Sequence, residues 1–207
     1  TVTGYEGVYD GAAHTITVGG TVAGDTVWYS TDGGATWSET NPEYTNVGEY
    51  PVKVKVTNPN YEDRTGEATV KITKAPVTIT VNDASKVYGT SDPAFTGTVV
   101  GLKGSDSIGT VSYNRVGSDE NVGTYPDVLT ASYTDNPNYE VTVNKGDFTI
   151  TKATSETLTV TGYEGVYDGA AHTITVEGTV AGDTVWYSTD NGATWSETNP
   201  EYTNVGE

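Results

Sequence analysis

The 207-residue chain carries 28 acidic against 10 basic residues, a net charge of -18, with 34% hydrophobic residues, 25 Gly, 15 Tyr and neither Cys nor Met. That charge opposes binding to nucleic acid or to an anionic membrane, and the absence of cysteine excludes disulfide staples, thiolate metal sites and a Cys nucleophile. No apolar run approaches the ~18 residues of a membrane span, and with no basic-then-apolar leader the sequence reads as an interior segment of a longer protein.

Val, Thr and Tyr dominate, while leucine is confined to Leu102, Leu129 and Leu158. Such a composition suits pleated, half-buried surfaces, so an all-β chain with almost no helix is expected. In chain order, strand signals fall at residues 14–18, 26–30, 36–39, 50–57 and 67–73. Breakers separate them: Asp10-Gly11, Gly19-Gly20, Gly24-Asp25, Asp32-Gly33-Gly34, Asn41-Pro42 and Asn58-Pro59-Asn60. Val52, Val54 and Val56 alternate with Lys53, Lys55 and Thr57, which predicts one dry face and one wet face. Six or seven short, mostly antiparallel strands in about 75 residues predict an immunoglobulin-like β-sandwich.

The sequence then repeats. Residues 159–207 match residues 1–49 at an offset of 158 with two differences, Gly19 against Glu177 and Gly33 against Asn191. Within that period, Asn46-Val47-Gly48-Glu49-Tyr50-Pro51 is echoed by Asn121-Val122-Gly123-Thr124-Tyr125-Pro126. Asn58-Pro59-Asn60-Tyr61 is likewise echoed by Asn136-Pro137-Asn138-Tyr139, and Ile72-Thr73-Lys74-Ala75 by Ile150-Thr151-Lys152-Ala153. These echoes define a tandem array of immunoglobulin-like units: A (1–75), B (76–153), and a linker with an incomplete second copy of A (154–207) that lacks its last two strands. A and B meet almost without a spacer, so a stiff joint is expected, whereas the polar junction at 151–158 reads as looser. The incomplete copy would expose sheet edges and half a core. The expectation is that the protein continues or that strands from another molecule complete it. Tyr50 and Tyr125 occupy the place of corner tyrosines, whose hydroxyls bond back to the chain.

Val8-Tyr9-Asp10-Gly11, Tyr29-Ser30-Thr31-Asp32-Gly33-Gly34 and Asn58-Pro59-Asn60-Tyr61 make unit A similar to the YDG-type immunoglobulin-like repeats of bacterial surface proteins. Unit B, with Lys86-Val87-Tyr88-Gly89 and Ser91-Asp92-Pro93, resembles MBG domains of the YGX type. The resemblance implies stalk or adhesin modules exported to the cell surface or cell wall, without catalysis. Their partners would be neighbouring repeats, with lateral or end-to-end self-association also in view.

Ser30-x-Asp32-x-Gly34-x-Thr36-Trp37 resembles the Asp-box of sialidases and returns with Asp190 and Gly192. Its residue types are explained by a hairpin: Asp32 accepts backbone N–H bonds across the turn, and Gly34 permits positive φ. Asn191 in place of Gly33 fits, since Asn tolerates positive φ best after Gly. A sialidase would also need an arginine cluster, and the two arginines, Arg64 and Arg115, lie in different units. Glycoside hydrolysis needs paired carboxylates in a cleft that a unit of this size barely allows. His14 and His172 are too far apart in sequence to share a His-based metal site or a triad within one unit. No cofactor is expected. Calcium on Asp10, Asp25 or Asp32 is the remaining metal candidate. Lys86 with Asn144 is a formal isopeptide pair.

The competing expectation is a host-glycan platform on Trp28, Tyr29 and Trp37, repeated at Trp186 and Trp195. Trp28 and Tyr29 are adjacent on a strand and point to opposite faces. The bland alternative puts one indole in the core and the other over the turn. The reading that results is a spacer of an extracellular bacterial fibre or adhesin, with the glycan-binding module as its rival.

Overall fold

The computed structural model describes residues 1–206, which contain fifteen strands and no helix. Contacts divide the chain into Thr1–Thr151 and Lys152–Glu207.

Within the first unit, repeat A supplies β1 (Val2–Thr3), β2 (Tyr5–Val8), β3 (Thr17–Val18), β4 (Thr26–Ser30), β5 (Gly48–Asn58) and β6 (Tyr61–Thr73). β1 pairs with β3, and a four-stranded sheet runs β2-β6-β5-β4. Repeat B supplies β7 (Ala75–Val81), β8 (Ala84–Val87), β9 (Gly97–Val100), β10 (Ser112–Arg115), β11 (Gly123–Ser132), β12 (Tyr139–Asn144) and β13 (Gly146–Thr151). Its sheets run β12-β7-β9 and β10-β11-β13-β8.

The long hairpin β5–β6 follows from its alternation. Val52, Val54 and Val56 are buried from β5 and Val70 and Ile72 from β6, while Lys53 faces water. Each such aliphatic side chain contributes about 1.5–3 kcal/mol when removed from water. Asn58 shapes the turn by accepting the Asn60 N–H at 2.9 Å, and its amide reaches Asp25 at 2.8 Å.

Two features depart from the sequence expectation. Residues 36–39 form only an isolated bridge, Tyr29↔Ser38, because the tight loop before them leaves one residue in register. Three ladders are parallel: β2 with β6, β7 with β12 and β8 with β13. Two of these set an early strand of a repeat against its last strand, and the third sets the first strand of B against its penultimate one. The glycine-bearing segment that forms β2 carried no strand signal. It becomes a strand because β6 presents a free edge to it.

β6 passes into β7 with only Lys74 between them. A single cluster of buried side chains crosses this point, from Tyr9, Ile16, Val54, Val70 and Ala75 in A to Val77, Ile79, Ile108 and Tyr139 in B. A second cluster, Val81, Leu129, Phe148 and Ile150, fills the far part of B.

In the second unit, β14 (Thr159–Thr161) pairs antiparallel with β15 (Thr175–Glu177), repeating β1 and β3. Residues 163–166 and 184–188, copies of β2 and β4, do not form strands.

Candidate functional site

Three features invite a functional reading: the Asp-box hairpin, the indoles beside it and the joint between A and B. In the hairpin, Asp32 accepts from Ser30 Oγ at 2.7 Å, from the Thr36 N–H at 2.9 Å and from Thr36 Oγ1 at 2.6 Å. The Gly34 N–H donates to Ser30 Oγ at 2.8 Å. These donors, Thr36 first, hold the Asp32 carboxyl far below the usual carboxylate range. The second copy builds the same network on Asp190, whose carboxyl is brought down to about 2, chiefly by Thr194. Gly34 has φ 100° and Gly192 φ 88°, and Asn191 takes φ 61° where Gly33 has 78°. Both carboxylates are thus turned inward on their own loop.

Neither indole enters the core, while Trp37 does lie over the Asp-box turn, its Cζ2 3.4 Å from where a Cβ on Gly34 would stand. Register pairs Tyr29 with buried Val54 and Trp28 with Lys55. Tyr29 therefore packs on the core, and Trp28 takes the opposite face, where its Nε1 donates to Thr57 Oγ1 at 3.2 Å. Trp37 shares that outer face, with Lys55 Nζ 5.2 Å from its ring centroid. Both indoles are half-buried, and neither enters the core. In the second copy Trp186 and Trp195 are exposed, and Trp195 Nε1 donates to the Gly192 carbonyl at 3.1 Å.

The corner positions bond back to the chain. Tyr50 Oη donates to the Asn46 carbonyl at 3.1 Å and Tyr125 Oη to the Asn121 carbonyl at 2.6 Å. Tyr50 also stacks on Tyr44, with centroids 4.1 Å apart.

The joint is the most highly connected polar site between the repeats. Tyr9 of A and Tyr139 of B meet edge to face at 5.4 Å, and both hydroxyls donate to Asp106 Oδ2, at 2.7 and 2.6 Å. The Lys103 N–H donates to Tyr139 Oη at 2.9 Å. On the other side Asn138 accepts the Val47 N–H at 2.9 Å and donates to Asn46 Oδ1 at 3.0 Å, and its carbonyl takes the Ala75 N–H at 3.0 Å. Tyr139 and Tyr9 draw the Asp106 carboxyl below its ordinary value. In return, the Asp106 bond, with burial second, pushes the Tyr9 hydroxyl up to about 12. Burial, then Asp106, raises Tyr139.

Sequence reasoning expects a stiff joint here but assigns none of these residues to it, although Tyr9, Asn46, Val47, Asn138 and Tyr139 all lie in its repeated motifs. The available signal was the repeated Asn-Pro-Asn-Tyr turn. Tyr61 in A is 64% exposed, whereas its counterpart Tyr139 is 1% exposed, because the B turn is the one that lies against A.

The other candidates are dispersed. Asp10 binds the Ala12 N–H and His14, which stacks on Tyr5. Asp25 is held by the Val22 N–H, Asn58 and Arg64. Among the described residues no three His, Asp or Glu side chains gather as metal ligands. Lys86 is buried and engages Asp92 at 2.8 Å together with Glu120, which removes it from any pairing with Asn144. Arg115 closes this network on Asp92 at 2.9 Å and lies over the Phe148 ring. The ion pairs favour the charged lysine and raise its pKa, Asp92 most strongly.

Residues 77–149 match the family model of the MBG domain, YGX type. The MBG family is associated with bacterial surface proteins. The match covers most of β7, all of β8 to β12 and most of β13. No curated protein matches the chain.

Proposed function

We propose that this chain is a spacer segment of an extracellular bacterial surface protein, a stalk or fibre of tandem immunoglobulin-like sandwiches, acting mechanically and without catalysis or cofactor. The observation that carries the reading is the A–B joint: a continuous strand passage at Lys74, a shared buried cluster, and Asp106 and Asn138 bonding across it. A joint bonded on two sides resists bending, which is what a spacer needs. With strands of about ten residues rising ~3.3 Å each, one A–B period would extend a distal tip by roughly 70 Å. The net charge of -18 favours a solvated surface and disfavours nucleic acid.

Because the chain has no cysteine, two introduced cysteines at Thr31 and Ser118 would carry spin labels without background. A narrow interlabel distance distribution is expected. A broad one would mean that A and B move independently and would sink the spacer reading.

A second reading, a glycan platform, is favoured by Trp28 and Trp37 sharing the outer face of β4 and β5. Saturable change in tryptophan fluorescence on titration with host glycans would support it. A flat titration would leave the spacer reading alone. Hydrolysis of a fluorogenic sialoside would contradict both.

A further inference from the structure

The A–B joint joins two kinds of end. A brings Tyr9, Asn46 and Val47, and B brings its Asn-Pro-Asn-Tyr turn. At its far side B rebuilds the end that A brings. The parallel ladder β8–β13 closes on Val87↔Thr151 as β2–β6 closes on Val8↔Thr73. The Tyr88 N–H donates to the Thr151 carbonyl at 2.8 Å, as the Tyr9 N–H does to that of Thr73. Gly123 pairs with Ile150 as Gly48 pairs with Ile72, and the corner hydroxyls of Tyr125 and Tyr50 bond to the Asn121 and Asn46 carbonyls. Tyr88, Asn121 and Val122 therefore stand in B where Tyr9, Asn46 and Val47 stand in A. Their surroundings differ. Tyr9 is 5% exposed and Val47 packs on the shared cluster, whereas Tyr88 is 52% and Val122 46% exposed. These residues lie well inside the chain, and all seven strands of B are formed around them.

The sequence holds two Asn-Pro-Asn-Tyr turns, and the one at 136–139 is committed to A. The other, at 58–61, has the same form: the Asn60 N–H donates to Asn58 Oδ1 at 2.9 Å, as the Asn138 N–H does to Asn136 Oδ1 at 3.0 Å. Asn60 and Tyr61 are nevertheless exposed. At the joint Asn138 accepts the Val47 N–H, so Asn60 offers the matching side chain to the backbone of Val122. A cannot carry its own turn there, because the β6–β7 passage holds it against the opposite side of B. One contact is not repeated. Asp25 closes in A the turn that Asp106 closes in B, their N–H groups donating to the Val22 and Lys103 carbonyls. The Asp25 carboxylate, however, is already bonded by the Val22 N–H, Asn58 and Arg64. Tyr88 thus gains no partner like the one Asp106 gives Tyr9, and contact at this second site is weaker than at the joint and reversible.

We propose that Tyr88, Asn121 and Val122 form a socket for the Asn58-Pro59-Asn60-Tyr61 turn of a second copy of this chain. The two surfaces differ and lie at opposite ends of the A–B pair, so the contact is head-to-tail and propagates into an open filament rather than a closed dimer. The net charge of -18 opposes the approach of two copies, and added salt should strengthen association by screening it. The joint's geometry serves as the template, and the spacer reading is not assumed.

The test mixes two populations of the full chain, one with a donor dye on Ser118→Cys beside the socket and one with an acceptor dye on Asp63→Cys beside the turn. The absence of native cysteine makes both labels unique. Energy transfer between molecules is expected to rise with protein concentration and with salt. Two populations both labelled at Ser118, or both at Asp63, should show markedly less. Val122→Asp in the donor chain, a change at an exposed position, should abolish the transfer. Asn60→Ala in the acceptor chain should weaken it about fivefold, the worth of one hydrogen bond. No transfer up to millimolar protein would overturn the socket, as would equal transfer between like-labelled chains or unchanged transfer with Val122→Asp. Such a failure leaves the spacer reading standing, since that reading turns on the distance distribution within one molecule.

Discussion

Residues 1–49 and 159–207 differ at two positions, yet the first copy forms ladder strands at 5–8 and 26–30 where the second forms none. What survives in both is local. The β1–β3 ladder recurs as β14–β15, the His14↔Tyr44 bridge as His172↔Tyr202, and the Tyr29↔Ser38 bridge as Tyr187↔Ser196. Tyr5 stacks on His14 at 3.8 Å and Tyr163 on His172 at 3.5 Å. What is lost needs β5 and β6. A strand is defined by its neighbour, because an edge with no partner has no ladder to join. The same sequence is therefore a strand in one context and irregular in the other.

Substitutions made in parallel in the two copies test this contrast. The largest difference is expected at the core isoleucine. Ile16→Ala removes a fully buried side chain and should destabilise the first unit by about 2–4 kcal/mol, whereas Ile174→Ala, half-buried, should cost less than about 1 kcal/mol. Amide exchange in β5 and in β15 reads the two effects separately. Equal losses would mean that the second copy is closed in solution.

Next comes the joint. Tyr9→Phe leaves Asp106 with one hydroxyl donor in place of two, an expected loss of about 1–2 kcal/mol, while Tyr167→Phe should stay within about 0.5 kcal/mol. Chemical denaturation of the single variants measures both. If Tyr9→Phe were silent, the joint would be held by its apolar contacts and Asn138 alone.

Linkage predicts a smaller, pH-dependent effect at the same place. The folded state keeps the Tyr9 proton more tightly than the unfolded chain does. Its contribution is therefore complete below pH 10, declines as pH rises from 10.0 to about 12, and is absent beyond. Asp106, depressed by Tyr139 and Tyr9, acts at the other end: its contribution is present above the ordinary Asp range and is lost as pH falls through the lowered value. Other tyrosines ionise in the alkaline window too. The difference between the native chain and Tyr9→Phe isolates this component, and parallel curves for the two would refute it.

The smallest expected difference is none. Asp32→Ala and Asp190→Ala should speed exchange at the Thr36 and Thr194 amides alike, because each carboxylate bonds only within its own hairpin. Unequal changes would show that the β5–β6 hairpin supports the first Asp-box as well.

Much of the fold was legible before any coordinates. Alternation at Val52, Val54 and Val56 marked the dry face of β5, residues 26–30 coincide with β4, and Asp32 bonds within the turn that holds Gly34. These are short-range signals, set by pleat geometry and by side chains reaching a few residues along the chain. β2 was illegible because its residues alternate weakly and its partner, β6, begins more than fifty residues later. Trp28 was ambiguous for a related reason. Alternation says that Trp28 and Tyr29 face opposite ways, but only the register with Val54 and Lys55 says which of them faces inward.

The sequence alone determined the repeat order, the positive-φ turns at Gly34 and Asn191, the hairpin networks and the all-β class, since each depends on residue identity and near neighbours. Tertiary structure decided which strands exist, which side of β4 is wet, and that Asp106 and Asn138 bind A to B. The physical reason lies in the two copies of one sequence: pairing between distant strands is a property of the partner's presence, and a segment of 49 residues does not carry its partner within itself.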